Sequence, residues 1–129
     1  VPTWGQVQEV ASSGSYTPTV SASTNCVSPS ALPSTYTKNG NTVTLRLNVI
    51  ATNFTAANTF TKITVNLPVN RTLTNIKNIG SGSGFNPIGE YWAAIAQTGA
   101  NNNTVSVSFR TPSTSTGNIT LFVQYDITQ

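Results

Sequence analysis

The sequence contains no histidine, a single cysteine and only three acidic residues among its 129 residues. These absences exclude several kinds of chemistry. A Ser-His-Asp triad cannot be built without histidine, and general acid–base catalysis has only Glu9, Glu90 and Asp126 to draw on. A glycosidase would need two carboxylates about 5 to 10 Å apart across a cleft, and nothing in the sequence pairs these three. We therefore expect no catalytic residues and no enzyme.

Cys26 is the only cysteine, so it has no intramolecular disulfide partner and cannot build a zinc site. Its neighbours Asn25 and Val27 carry no charge that would activate a thiol, and an inert thiol is expected. No metal site and no cofactor are predicted. The sequence also has no run of about 18 apolar residues and no signal-peptide pattern, so neither a transmembrane segment nor membrane insertion is expected.

Charged residues make up 7% of the chain, and the net charge of +3 reflects scarce acids rather than clustered bases. The six basic residues are scattered without a run or a repeated spacing: Lys38, Arg46, Lys62, Arg71, Lys77 and Arg110. Nucleic-acid binding needs a concentrated basic footprint, so it is not expected. The glycine run at residues 80–84 resembles a phosphate-binding loop only superficially, because no Lys-Ser/Thr pair follows it. We predict a flexible loop there.

The segment around Asn39-Gly40 gives the clearest structural signal, a β-hairpin with a predicted type I′ turn. After it, Val43, Leu45, Leu47 and Val49 alternate with polar residues, as expected for a strand with one buried face. Similar alternation recurs at roughly ten-residue spacing, and no helical period with caps appears. The prediction is an all-β protein, an antiparallel, jelly-roll-like sandwich of seven to eight strands. Residues 1–13 are predicted to be an N-terminal stalk or linker and residues 14–129 the head domain.

Two groups of residues are candidates for contacts with other molecules. Tyr91 and Trp92 are adjacent on a predicted strand and must face opposite ways, so one belongs to the core and the other to a stacking or interface surface. With Phe85 and Phe54 they form the predicted ligand-binding set. The predicted trimer interface lies in the first ten residues, because Trp4 sits in a segment too short to build its own core: Trp4, Val7 and Val10.

Five short segments, in this order, are similar to a C-terminal module of bacteriophage virion proteins: VPTW at residues 1–4, GSYTPTV at 14–20, YTKNGNTVT at 36–44, VNLP at 65–68 and FVQYDI at 122–127. That module caps tail fibres, head fibres and spikes, notably in phages of Bacteroidetes hosts. The resemblance implies a trimeric, β-rich tip on the virion surface that binds a host surface or decorates the capsid. The family has no catalytic or ligand motif to carry over.

The expected function is therefore that of a non-enzymatic fibre or spike knob. Its expected partners are two further copies of itself, other virion proteins, and a glycan or protein of the host cell surface. Two alternatives stay open. A carbohydrate-binding module would need an exposed aromatic platform, and a bacterial adhesin or pilin-like subunit would need an open sheet edge for strand exchange.

Overall fold

A computed structural model describes residues 11–71, 78–98 and 103–127, and every regular element within them is a β-strand. The ten strands are β1 (Ala11–Tyr16), β2 (Val20–Thr24), β3 (Ser30–Ala31), β4 (Ser34–Asn39), β5 (Thr42–Ala51), β6 (Thr59–Asn66), β7 (Asn78–Phe85), β8 (Tyr91–Thr98), β9 (Thr104–Thr111) and β10 (Gly117–Asp126). The predicted all-β, antiparallel, sandwich-like class is confirmed. The number of strands is larger than the seven to eight expected.

The strands form one antiparallel sheet in the order β1-β4-β5-β10-β7-β8-β9-β6-β2, and β3 adds to β5 beside β4. The sheet curls so that its inner face encloses a single hydrophobic core. One wall of the core comes from β5 and β10 and the other from β6, β8 and β9. Side chains on the opposite, outer face of the sheet are mostly exposed, although Thr104, Ser106 and Ser108 of β9 are buried. The outer face carries the candidate site.

The alternation that predicted β5 is confirmed in the structure. Val43, Leu45 and Leu47 are fully buried, whereas Arg46 between them is exposed on the outer face. β10 repeats the pattern beside it, with Leu121 and its alternate neighbours buried. Because successive side chains of a strand point to opposite faces, a one-residue slip would expose the aliphatic row, and this fixes the register of the pair.

β7 corrects the prediction for residues 80–84. The glycine run is not a flexible loop but the centre of a strand that pairs with β10 on one side and β8 on the other. Gly80, Gly82 and Gly84 share one face of this strand. A Cβ placed on Gly82 would lie 2.6 Å from the Cα of Leu121, and one on Gly80 would lie 2.8 Å from the Cα of Val123. The missing side chains therefore let β7 lie against β10 where the sheet curls.

The hairpin is present, but its turn is not the predicted type I′ turn at Asn39-Gly40. Asn39 pairs with Thr42, which makes Gly40 and Asn41 the two central residues. Gly40 has φ of +61°, and Asn41 is not among the residues with positive φ. A positive φ at the first central position alone, with glycine there, is the pattern of a type II′ turn.

The start of the sheet also differs from the prediction. Residues 11–13 belong to the predicted stalk or linker, but Ala11–Tyr16 pairs with β4 along its whole length. The predicted domain boundary after residue 13 thus falls within β1. Thr17 to Thr19 then connect the two edges of the sheet: the Tyr16 hydroxyl donates to the Asn66 carbonyl oxygen (3.1 Å) and the Thr19 amide to Asn66 Oδ1 (2.6 Å).

Candidate functional site on the outer face of the sheet

The turn between β7 and β8 is held by Asn86, a buried polar residue. Its side-chain amide donates to Glu90 Oε1 (2.8 Å), and its Oδ1 accepts from the Glu90 amide (3.0 Å). The Asn86 backbone also bonds Glu90 and Gly89, and Gly89 takes the positive φ that closes the turn. Side-chain hydrogen bonds lower the pKa of the Glu90 carboxyl; the bond from Ser113 has the larger effect and the bond from Asn86 the smaller. The turn is thus a preorganised support for the strand ends on either side.

Three apolar side chains project from this support into solvent. Phe85, the last residue of β7, lies directly opposite Tyr91, the first residue of β8. Phe85 is 47% exposed, Tyr91 80%, and Ile88 at the turn tip 66%. Opposed residues of neighbouring strands are close enough for their side chains to interact. We call Phe85, Ile88 and Tyr91 the aromatic platform.

The other two residues of the predicted ligand-binding set lie in the core. Trp92 is 9% exposed and Phe54 is 3% exposed, so neither offers a face to a surface ligand. Both pack with Phe109: the Phe54 ring meets the other two edge-on, and the Trp92 and Phe109 rings stack at 6.0 Å. The structure thus places Phe85 and Tyr91 together on the surface and assigns Trp92 and Phe54 to packing.

A second feature of the outer face was missed by sequence reasoning. Arg46 of β5 lies opposite Phe122 of β10, and its guanidinium carbon is 4.7 Å from the centre of the Phe122 ring. Phe122 is 57% exposed. The signal was present in the sequence, because Phe122 is the aromatic residue on the otherwise polar face of the longest alternating strand.

The described acidic residues do not form a catalytic pair. Glu90 lies in the β7–β8 turn, beside the strand end where Phe85 pairs with Asn118. Asp126 lies eight residues further along β10, which corresponds to about 27 Å at the rise of a strand, and accepts a hydrogen bond from the Thr42 hydroxyl. This separation exceeds the carboxylate spacing of glycosidases. Among the described residues no group of three potential metal ligands comes together.

Cys26 lies in an isolated β-bridge with Phe54, and its thiol faces the Thr52 carbonyl oxygen at 3.6 Å. Burial raises the pKa of this thiol, which disfavours the reactive thiolate.

The predicted trimer-interface residues Trp4, Val7 and Val10 lie outside the described residues. In the described part of the chain there is no helix with the length and apolar character needed to cross a membrane.

Comparisons of the chain with protein-family models, with curated proteins and with solved structures find no match. The class of protein that the fold defines is an all-β domain with a curled antiparallel sheet. Its outer face carries both the aromatic platform and the Arg46–Phe122 pair, and is therefore the candidate surface for contacts with other molecules.

Proposed function

We propose that this chain is a non-enzymatic recognition domain of a bacteriophage appendage, the knob of a trimeric fibre or spike on the virion surface. The observation that carries the proposal is the aromatic platform. Large apolar side chains that stand in water on a rigid support are typical of binding surfaces, because burying them on contact is favourable and costs little ordering of the support. The resemblance to phage fibre modules supports the virion setting.

The physical character of the domain suits such a role. Strands account for most of the described residues, and the outer face is rich in serine, threonine and asparagine. A continuous hydrogen-bonded sheet with short turns presents the platform at a fixed geometry. Within this proposal, the N-terminal residues would join the head to a shaft, and Trp4 would be buried between the three copies.

A binding experiment with a matched aromatic control tests the role of the platform. The labelled chain is measured on a glycan array and on intact Bacteroidetes cells, alongside Tyr91→Ala, Phe85→Ala and Phe60→Ala. Phe60 is also about half exposed but lies three strands away from Phe85 in the sheet. We expect the first two variants to lose at least tenfold in binding and Phe60→Ala to bind like the parent. Equal loss in all three, or none in any, would contradict the assignment.

The trimer is tested separately by the mass of the chain in solution. We expect a trimer at micromolar concentration and weaker assembly for Trp4→Ala. A monomer would refute the fibre knob.

A monomer that still binds glycans through Tyr91 would favour the second candidate, a carbohydrate-binding module. The 80% exposure of the Tyr91 ring is the observation that supports this candidate. Concentration-dependent polymers would instead favour an adhesin or pilin-like subunit that uses the open sheet edges at β1 and β2.

A further inference from the structure

A trough runs along the outer face of β1, β4 and β5 and ends against β10. It has a volume of about 450 Å³, within the range of small-molecule sites. Two cross-strand rows form it: Ser15, Thr35, Arg46 and Phe122 in one, and Ser13, Thr37 and Thr44 in the other. Small hydroxyl side chains make its floor, and the Arg46–Phe122 pair makes the taller wall at one end.

The floor of the trough has unused hydrogen-bonding capacity. Within the described residues, none of its five hydroxyl groups makes a side-chain hydrogen bond. Other hydroxyls on the same face do so, for example Thr120 to Asn48 (3.2 Å) and Thr64 with Ser106 (3.2 Å). Each free hydroxyl can donate one hydrogen bond and accept two. Such a surface matches a ligand that is itself dense in hydroxyl groups.

Among the residues that the structure describes, the positive charge on the wall of the trough has no carboxylate partner. Of the acidic residues that the structure describes, Glu90 is bonded to Asn86 and Asp126 to Thr42. Stacking on Phe122 covers one face of the Arg46 guanidinium and restrains it. The planar N–H edge stays available, and this edge pairs with a carboxylate through two parallel hydrogen bonds.

We propose that this trough binds a carboxylate-bearing saccharide, that is, a glycan with a hexuronic or sialic acid unit. Arg46 would take the carboxylate, the exposed part of the Phe122 ring would pack against an apolar C–H face of the sugar, and the floor would exchange hydrogen bonds with the sugar hydroxyls. A polyanion such as nucleic acid fits less well, because one cation supplies little of the charge that phosphate backbones require. The inference rests on the proposed recognition function and names its ligand class.

The test compares acidic saccharides with uncharged equivalents. The intact chain is titrated by calorimetry with trigalacturonate, its methyl ester, a glucuronate-containing tetrasaccharide and sialyllactose. At least one acidic saccharide should bind, and its neutral counterpart (ester or lactose) should bind at least tenfold more weakly. Arg46→Gln should lose at least tenfold, Arg46→Lys should recover only part of the loss, and 0.5 M salt should weaken binding severalfold. Circular dichroism and thermal unfolding confirm that each variant is folded.

Phe60→Ala serves as the matched control, because it removes a half-exposed aromatic side chain on β6, a strand that lines neither the trough nor the aromatic platform. It should bind the acidic saccharide as the parent does. Loss in Tyr91→Ala without loss in Arg46→Gln would overturn the trough while supporting the platform. Equal affinity for acid and neutral counterpart, no binding by any acidic saccharide at millimolar concentration, or stronger competition by single-stranded DNA or an acidic peptide would overturn the proposal. If the chain binds an acidic saccharide through Arg46 but does not bind intact host cells, the trough stands and only the proposed function is contradicted.

Discussion

Replacing Gly82 by alanine tests whether the glycines of β7 determine the curl of the sheet. Gly82 lies in the centre of β7 and pairs with Leu121 of β10 and Ala94 of β8. A Cβ added there would meet the Thr120 carbonyl oxygen and lie 2.6 Å from the Leu121 Cα. Ordinary contacts begin at 3.4 Å, so the Leu121 Cα would have to move by about 0.8 Å, and the nearer Thr120 carbonyl oxygen by more.

The sign of the change in the free energy of unfolding shows whether crowding against β10 or the lower entropy of the unfolded backbone dominates. Where space allows, Gly→Ala in a strand stabilises by about 0.4 to 1 kcal/mol, because the unfolded chain loses freedom. At Gly82 the group that must move is backbone, and β5 and β7 both hold β10 by hydrogen bonds. Overpacking costs about 1 to 3 kcal/mol of stability. Because the hydrogen-bonded backbone of β10 cannot easily move, the cost at Gly82 should lie toward the upper end of this range. We expect a net destabilisation of about 2 kcal/mol.

Thermal unfolding followed by far-UV circular dichroism measures this change. For a chain of this length, a loss of about 2 kcal/mol lowers Tm by about 6 to 10 °C. Ser83→Ala is the matched control, because Ser83 is the next residue of β7 and lies exposed on the outer face. It should stay within about 0.5 kcal/mol of the parent. A Gly82→Ala variant as stable as the parent, or more stable, would refute the close approach of β7 and β10.

Two other perturbations follow from local features. Gly40→Val should lower the free energy of unfolding by about 1 to 3 kcal/mol in urea titration, because the φ of +61° strains a β-branched residue. Gly40→Asn should lose less, and an unchanged midpoint in Gly40→Val would contradict the turn. Burial raises the pKa of Tyr125 to about 12, so the unfolded chain releases this proton at lower pH than the native one and stability falls from about pH 10 to 12. Tyr125→Phe should flatten that fall by about 1.4 kcal/mol per pH unit, and an unaltered slope would be the contrary result.

The core strands could be predicted because their signal is local. β5 and β10 alternate strictly between apolar and polar residues, and that period of two identifies both the element and its buried face. The absence of a helical period with caps likewise indicated an all-β chain. β7 could not be predicted in this way, because serine and glycine have low strand propensity. Its strand conformation comes from hydrogen bonds to β10, which lies far away in sequence, and to the next strand, β8.

The candidate site was also predictable only in part, where its signal is local in sequence. The adjacency of Tyr91 and Trp92 showed that the two rings face opposite ways, but not which of them is buried. That outcome depends on the glycines that make room for the indole: a Cβ on Gly84 or Gly117 would lie 2.6 Å from a Trp92 ring carbon. The Arg46–Phe122 pair was equally hidden, because a cross-strand contact depends on register between β5 and β10.

The sequence by itself thus determined the fold class, the inward and outward faces of the long strands, and the scarcity of groups for acid–base chemistry. These properties follow from local periodicity and composition. Only the tertiary structure decided the strand order, the curl at β7, the burial of Trp92 and Phe54, and the pairing of Arg46 with Phe122. These outcomes depend on which strands distant in sequence share hydrogen bonds and on how side chains pack between them, and both are set by the whole chain rather than by any one segment.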